Sequence, residues 1–289
     1  MKKFVPLIVG IDGLLGKALW NYFRDLCPKT LGTSRRGTDE VPFLDLSSPH
    51  LDTIDLQNIT HALITGGNPN IRNCEMDPIS TGACNLVGTL DLAHQFSAKG
   101  IQPILFSTDY VFDGVKGNYT EDDIPSPLNQ YGWQKAELEK RIHGVAAGNY
   151  LMIRLAKVIL QTKGQGLIGE IADSLHLGRK VRAATDLLFT PVLLNDVVLG
   201  IRALIEKGAK GLYNLAGPEL WTRYDLSLEI GRKIGVDSAL IEPISLDDLS
   251  ESFKRPKRTD LNTQKFEQAT GLKNKKISII LEDLFAGSK

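Results

Sequence analysis

Three glycines spaced as Gly10-x-x-Gly13-x-x-Gly16 stand between an apolar run, residues 4–10, and an amphipathic stretch from about 14 to 26. That context constrains the fold more than any other part of the chain. Glycine lets a strand turn tightly into a helix and lets the backbone approach a neighbour closely. A run that predicts a strand, followed by a glycine turn and a helix start, is the opening of a strand–helix–strand unit. The alternation then continues. Strands are predicted at 30–35, 61–66, 103–108 and 151–159, with helices at about 78–99 and 129–143. Alternation of this kind predicts a parallel sheet covered by helices on both faces, and such buried strands read as continuous apolar runs, as in Leu7-Ile8-Val9 and Ile104-Leu105-Phe106.

The fold class expected is therefore α/β, a doubly wound parallel sheet of the Rossmann type with a second, smaller α/β domain. Residues 1–160 are expected to form the dinucleotide-binding domain and 161–289 the substrate domain, with 181–207 a candidate to return to the main sheet. In the second part helices are predicted at 167–177, from Asn195-Asp196 to about Lys207 with Gly208 as the stop, and at 222–234. Residues 181–192 look extended, 212–216 reads as a strand, and 245–250 and 263–270 as short helices.

A glycine loop that opens a helix suits a pyrophosphate, because the helix start offers unpaired amides and partial positive charge. Gly10, Gly13, Leu14, Leu15 and Gly16 are the candidate residues of that loop. The ribose end is read from the second strand. NAD sites place an acid about 20 residues beyond the fingerprint, whereas an arginine there suits a 2′-phosphate. Ser34, Arg35 and Arg36 occupy the zone and no carboxylate follows until Asp39, so NADP is the expected cofactor. The competing reading is a pair of solvated arginines. Asp45 and Leu46 could meet the adenine, Gly66 ends the third strand, and Asn85 could hold water or backbone near the lysine.

Tyr131-Gly-Trp-Gln-Lys135 adds a chemical group. Residues i and i+4 share a helix face, which puts the Lys135 ammonium beside the Tyr131 ring. The cation is expected to lower the phenol pKa and make it a usable proton donor, with Thr108 hydrogen-bonding the same substrate oxygen. Glycine loop, strand-end threonine, then tyrosine and lysine one turn apart stand where a nicotinamide-dependent reductase would put them.

Charge and composition narrow the partners. Lysine plus arginine and aspartate plus glutamate number 34 each, so no global field draws the chain to nucleic acid or a membrane surface, and a small molecule is the expected ligand. Cys27, Cys74 and Cys84 have no metal-ligand spacing and read as reduced thiols of a cytoplasmic protein, and the scattered histidines give no metal site. The apolar start reads as a first strand rather than a leader, since Gly10, Asp12 and Gly13 break it. A homodimer is a compatible assembly.

The segments Ser107-Thr108-Asp109-Tyr110-Val111-Phe112-Asp113-Gly114, Tyr119-x-Glu121-x-Asp123, Pro127-Leu128-Asn129-x-Tyr131-Gly132-x-x-Lys135 and Arg255-Pro256-Lys-Arg-Thr259-Asp-Leu261-Asn-Thr263-x-Lys265 resemble the extended short-chain dehydrogenase/reductases, and within them the dTDP-4-dehydrorhamnose reductase family. The resemblance spans nearly the whole chain. It implies NADPH-dependent reduction of a 4-keto group on a nucleotide-activated sugar. Thr108 would orient the carbonyl, Tyr131 would be the acid, and Lys135 would tune it while holding the nicotinamide ribose. Asp109, Tyr110, Val111, Lys157 and Arg255 would face the substrate. Two departures from the family pattern stand out. Gly66-Gly67-Asn68-Pro69-Asn70 stands where the family commonly carries Ala-Ala and an aromatic-Thr stretch, and Arg154-Leu-Ala-Lys157 ends in lysine where the family carries tryptophan. Related members are epimerases or dehydratases, and the resemblance also extends to the β-subunit of methionine adenosyltransferase, a non-catalytic NADP-binding regulatory role.

Overall fold

The computed structural model describes residues 4–286 except 163 and 250. The chain divides into two compact units, the first made of 1–111, 125–154 and 205–213 and the second of 112–124, 155–204 and 214–289.

The first unit is built on a six-stranded sheet. Its strands are β1 (Pro6–Val9), β2 (Leu31–Thr33), β3 (His61–Ile64), β4 (Gln102–Thr108), β5 (Leu151–Leu155) and, further along the chain, β10 (Gly211–Leu215). The order is β10-β5-β4-β3-β1-β2. β1 pairs parallel with β2 and β3, and β3 with β4. Leu7 and Val9 belong to one buried cluster with Leu90, Phe96, Leu138 and Ile142. Ile8, between them, is equally buried. Since neighbouring strand residues point to opposite faces, the sheet is covered on both, as the continuous apolar runs predict.

The helices of this unit are α1 (Leu14–Leu26), α2 (Ile71–Met76), α3 (Pro78–Gly82), α4 (Thr89–Ala98) and α5 (Gln130–Val145). The helix expected over 78–99 is interrupted by a π-helical turn at Ala83–Gly88. A Cβ on Gly88 would lie 1.5 Å from the Leu46 carbonyl oxygen, so only glycine lets the loop after β2 lie against this turn. Sequence periodicity gave no sign of α2.

The second unit carries three short two-stranded ladders: β6 (Val158–Ile159) with β9 (Val192–Leu193), β7 (Val181–Ala184) with β12 (Ile241–Ile244), and β8 (Leu188–Phe189) with β11 (Trp221–Thr222). Residues 181–207 therefore add no strand to the main sheet. They hold β7, β8, β9 and α7 (Leu194–Glu206), and the sixth strand is β10, immediately after them. The stretch expected as one strand over 151–159 splits into β5 and β6. The units interleave instead of dividing at residue 160 because β10 carries the chain back to the sheet. Amphipathic helices α6 (Gly166–His176), α8 (Arg223–Ile234) and α10 (Ile277–Leu284) bury Ile171, Leu226, Ile230 and Leu281 in a separate core. Residues 112–124 belong here: the rings of Phe112 and Tyr119 stack at 3.9 Å, and Asn214 donates to the Tyr119 carbonyl at 2.9 Å. A further helix, α9 (Gln264–Thr270), follows the Thr259–Thr263 segment. Among the described residues no helix is long and apolar enough to cross a membrane.

Candidate functional site

β1 ends at the glycine loop, where the structure gives the fingerprint a physical reason. Gly10 has φ +91°, a conformation L side chains rarely adopt, and its amide donates to the Thr33 carbonyl of β2 at 3.0 Å. A Cβ on Gly16 would stand 2.1 Å from the Gly10 carbonyl oxygen and 2.6 Å from Thr65 Oγ1. Gly13 precedes the first turn of α1, which contains no acidic side chain. The first turn of the helix therefore brings no acidic side chain of its own to its positive end, and the glycine loop presents backbone there, the cradle a pyrophosphate requires. The Gly16→Ala protein is expected to be destabilised by about 1–3 kcal/mol in urea unfolding, as overpacking typically costs, and to lose NADPH binding in a fluorescence titration.

This loop opens on a cavity of about 1000 Å³ lined within the first unit by Gly10, Gly13, Arg35, Arg36, Asp45, Leu46 and Gly66, all expected at a cofactor site, and by Asp12, Asn68 and Cys84, which were not. Dimensions and donor set fit a dinucleotide: glycine backbone at one end, two exposed guanidiniums at another. Leu14, half exposed at the helix start, and Leu15 follow the loop. Ser34 is buried behind Arg35, and its hydroxyl donates to Asp12 Oδ2 while accepting the Arg36 amide at 3.0 Å. Asp45 caps its own turn, accepting the Ser47 amide and hydroxyl, each at 2.9 Å.

Asn85 sits in the π-helical turn and is fully buried. Its Oδ1 accepts the Asn68 amide at 2.7 Å, and its Nδ2 donates to the Asn68 carbonyl at 2.9 Å and to Gln134 Oε1 at 2.7 Å. It holds backbone, one of the two tasks expected of it. Gln134 in turn donates to Thr81 at 3.0 Å. This chain of bonds ties the cavity wall to α5 next to Lys135.

Thr108 ends β4 and α5 carries Tyr131 and Lys135. Asn129 caps α5 by accepting the Gly132 amide at 2.9 Å. A Cβ on Gly132 would be 2.2 Å from the Tyr110 carbonyl oxygen, so glycine lets α5 dock on the turn after β4. Thr108 Oγ1 donates to Asp109 Oδ1 at 3.0 Å and accepts the Tyr110 amide at 3.2 Å. Asp109 is buried, Tyr110 half-buried, and the Val111 side chain is in the core, out of reach of a ligand.

The electrostatics differ from expectation. The Tyr131 phenol is pushed up, first by burial and then by the Asp109 carboxylate, with the Thr108 hydroxyl acting in the opposite direction. Lys135 is not among the groups that set this shift. The Lys135 ammonium donates to the Phe106 carbonyl at 3.0 Å, and burial brings its own pKa down to about 8, an effect that Cys84, Cys74 and Glu139 partly offset. The lysine is itself disfavoured by desolvation and held by a backbone carbonyl, and the phenol's shift is set by burial and the Asp109 carboxylate.

One group that sequence reasoning missed lies a turn beyond Lys135. Glu139, on the same face of α5, accepts Ser107 Oγ at 2.5 Å and a bidentate guanidinium from Arg154, Nε at 2.8 Å and Nη2 at 2.7 Å. Both ion-pair side chains are buried, at 2% and 6% exposure. The spacing Tyr131, Lys135, Glu139 was the available signal, since i+4 steps share a face.

Lys157 and Arg255 belong to the second unit. Lys157 is exposed. Arg255 is committed to Glu251, Nε to Oε2 at 2.6 Å and Nη2 to Oε1 at 2.9 Å, with its guanidinium 5.2 Å from the Phe253 ring centre. Among the described residues no cluster of histidine, cysteine or acidic side chains could hold a metal.

A glycine-cradled cavity at the ends of parallel strands, with a strand-end threonine and a helix bearing tyrosine and lysine in the same unit though not in the cavity lining, is the arrangement of an α/β protein of the extended reductase class. The family model described as the RmlD substrate binding domain matches residues 5–287, so the chain belongs to that family. It is 28% identical over 278 residues to the probable low-salt glycan biosynthesis reductase Agl14 of Haloferax volcanii, covering 91% of each protein. It is also 28% identical over 275 residues to mouse methionine adenosyltransferase 2 subunit beta, covering 90% of this chain and 81% of that one. Its fold matches the crystal structure of dTDP-4-dehydrorhamnose reductase from Bacillus anthracis in complex with NADP with a TM-score of 0.86 at 19% identity, covering 99% of both chains.

Proposed function

We propose that the protein is an NADPH-dependent reductase of a 4-keto group on a nucleotide-activated sugar. The observation that carries the reading is the placement of Thr108, Tyr131 and Lys135 on β4 and α5, tied by Gln134 and Asn85 to the wall of a cavity that fits a dinucleotide. The NADP complex of the Bacillus anthracis reductase, which shares the fold, supports the choice of cofactor.

When bound, the nicotinamide supplies hydride to the carbonyl carbon. The chain's own residues handle the oxygen. Thr108, whose Oγ1 accepts the Tyr110 amide, would turn its one hydroxyl proton from Asp109 to the carbonyl. Tyr131 donates the proton as the oxygen becomes anionic. A phenol whose pKa is raised arrives protonated at neutral pH, which suits the reducing direction. Lys135, charged below about pH 8, supplies donors for the ribose hydroxyls. Gly10, Gly13, Leu14, Leu15 and Gly16 hold the pyrophosphate, Arg35 and Arg36 the 2′-phosphate, and Asp45, Leu46 and Gly66 border the adenine side. Within the first unit, Asp109 and Tyr110 serve the sugar nucleotide. Incubating the purified protein with NADPH and a panel of nucleotide-linked keto-sugars is expected to show substrate-dependent loss of absorbance at the reduced nicotinamide band. No loss with any 4-keto sugar nucleotide counts against the reading.

The equal identity to a methionine adenosyltransferase subunit favours one second reading, an NADP-binding subunit that does not turn over. On that reading NADPH binds, no keto-sugar consumes it, and a synthetase co-purifies.

A further inference from the structure

The ribose-reading end of the cavity contains a charge that the order of residues along the chain conceals. In NAD sites the acid that accepts the ribose 2′-hydroxyl comes from the end of the second strand, and in NADP sites an arginine takes its place. Here that position is Ser34, with Arg35 and Arg36 following, which by itself predicts strict use of the phosphorylated cofactor. The fold nevertheless brings a carboxylate to the same spot from another element. Asp12, in the middle of the glycine loop and 22 residues before Ser34, accepts the Ser34 hydroxyl through Oδ2. Ser34 is in turn fixed by its neighbours: its amide donates to the Pro42 carbonyl at 3.1 Å, its carbonyl accepts the Leu44 amide at 3.0 Å, and its hydroxyl accepts the Arg36 amide. Asp12 is therefore pinned. Asp12, Arg35 and Arg36 all line the cavity. Among the described residues none of the three carries an ion pair or any further interaction beyond those given. A ligand is left to choose between them.

We propose that Asp12 is a specificity-determining residue that opposes the 2′-phosphate of NADPH and accepts the 2′-hydroxyl of NADH, so that the site takes both cofactors with a moderated preference for NADPH. The inference rests on the reading of this cavity as a nicotinamide dinucleotide site. Its physical content is simple. A dianionic phosphate near a carboxylate is repelled, while a diol is offered an acceptor that neither arginine can provide.

The test is equilibrium binding of NADPH and of NADH, followed by nucleotide fluorescence, to wild type and to Asp12→Asn and Asp12→Glu. Removing one negative charge from the cavity wall that holds Arg35 and Arg36 should tighten NADPH on the order of tenfold in Asp12→Asn. Losing a charged acceptor should weaken NADH by about tenfold. The ratio of the two affinities then moves about a hundredfold toward NADPH, while Asp12→Glu, which keeps the charge, stays within about threefold of wild type. Ser34→Ala, which releases the carboxylate, should shift the ratio in the same direction by a smaller factor and decides the matter if Asp12→Asn does not fold. A ratio in Asp12→Asn, or failing that in Ser34→Ala, equal to wild type overturns the proposal and leaves the cofactor reading intact. Wild type that binds neither dinucleotide removes the cofactor reading and this inference with it.

Discussion

Replacing Tyr131 with phenylalanine is expected to lower kcat by about 10²–10⁴-fold, the contribution typical of a positioned proton donor. The dissociation constant for NADPH should remain within about threefold of wild type, because the ring that packs against the pocket is kept and only the hydroxyl is lost. The split between the two readouts is what makes the substitution informative. If Tyr131 only packed α5 against β4, removing one oxygen would leave kcat nearly unchanged. The phenol is held protonated by burial and by Asp109, so the wild-type rate should not fall in the neutral range through ionisation of this group. Rapid-mixing measurement of NADPH oxidation for the two proteins, alongside fluorescence titration of the cofactor, checks both halves of the expectation.

The second large effect concerns stability. Arg154→Ala should cost about 3–5 kcal/mol, the range for breaking a buried ion pair by removing one partner. The carboxylate of Glu139 would keep only the Ser107 hydroxyl from its present set of bonds and would remain buried. The cost comes chiefly from that stranded charge, so it should shrink when the charge is removed too: Arg154→Met combined with Glu139→Leu is expected to recover most of the loss in urea unfolding. Recovery in the double variant without recovery of kcat would show that the pair also fixes Ser107, and through it the end of β4 that presents Thr108. Equal destabilisation in the single and double variants would contradict this account of the pair.

Much of the first unit was legible because its signals are local. The apolar runs and the glycine loop placed β1, α1 and β4 to within a residue or two, since a strand buried on both faces must read as a continuous apolar run. The helix of Tyr131 and Lys135, expected over 129–143, runs Gln130–Val145 with Asn129 as its cap. What was not legible depends on contacts distant in sequence. Nothing near 83–88 signals a π-helical turn; it becomes intelligible once Gly88 is seen against the Leu46 carbonyl. The identity of the sixth strand also escaped local reading, because 181–193 and 211–215 are equally extended in pattern and only the fold selects the latter.

The site divides along the same line. Residue types and their spacing along one helix revealed Tyr131 and Lys135, but not the sign of the shift at Tyr131. That sign depends on burial and on Asp109, which approaches from a different element. Arg154, read as the first residue of a motif with an altered last position, is a buried partner of Glu139. Asp12 counted only as a break in the apolar start until the fold set its carboxylate on Ser34. Partners separated by tens of residues leave no periodic trace.

The central claim is that this chain moves a hydride from a nicotinamide to a sugar carbonyl and keeps none of it. Single-turnover reaction with NADPH deuterated at the transferable position of nicotinamide C4, followed by mass spectrometry and proton NMR of the sugar nucleotide, tests it most directly. The account predicts one deuterium at the former carbonyl carbon and one equivalent of oxidised cofactor per product. Product with unchanged cofactor, or cofactor that stays bound and reduced with every keto-sugar, would contradict it.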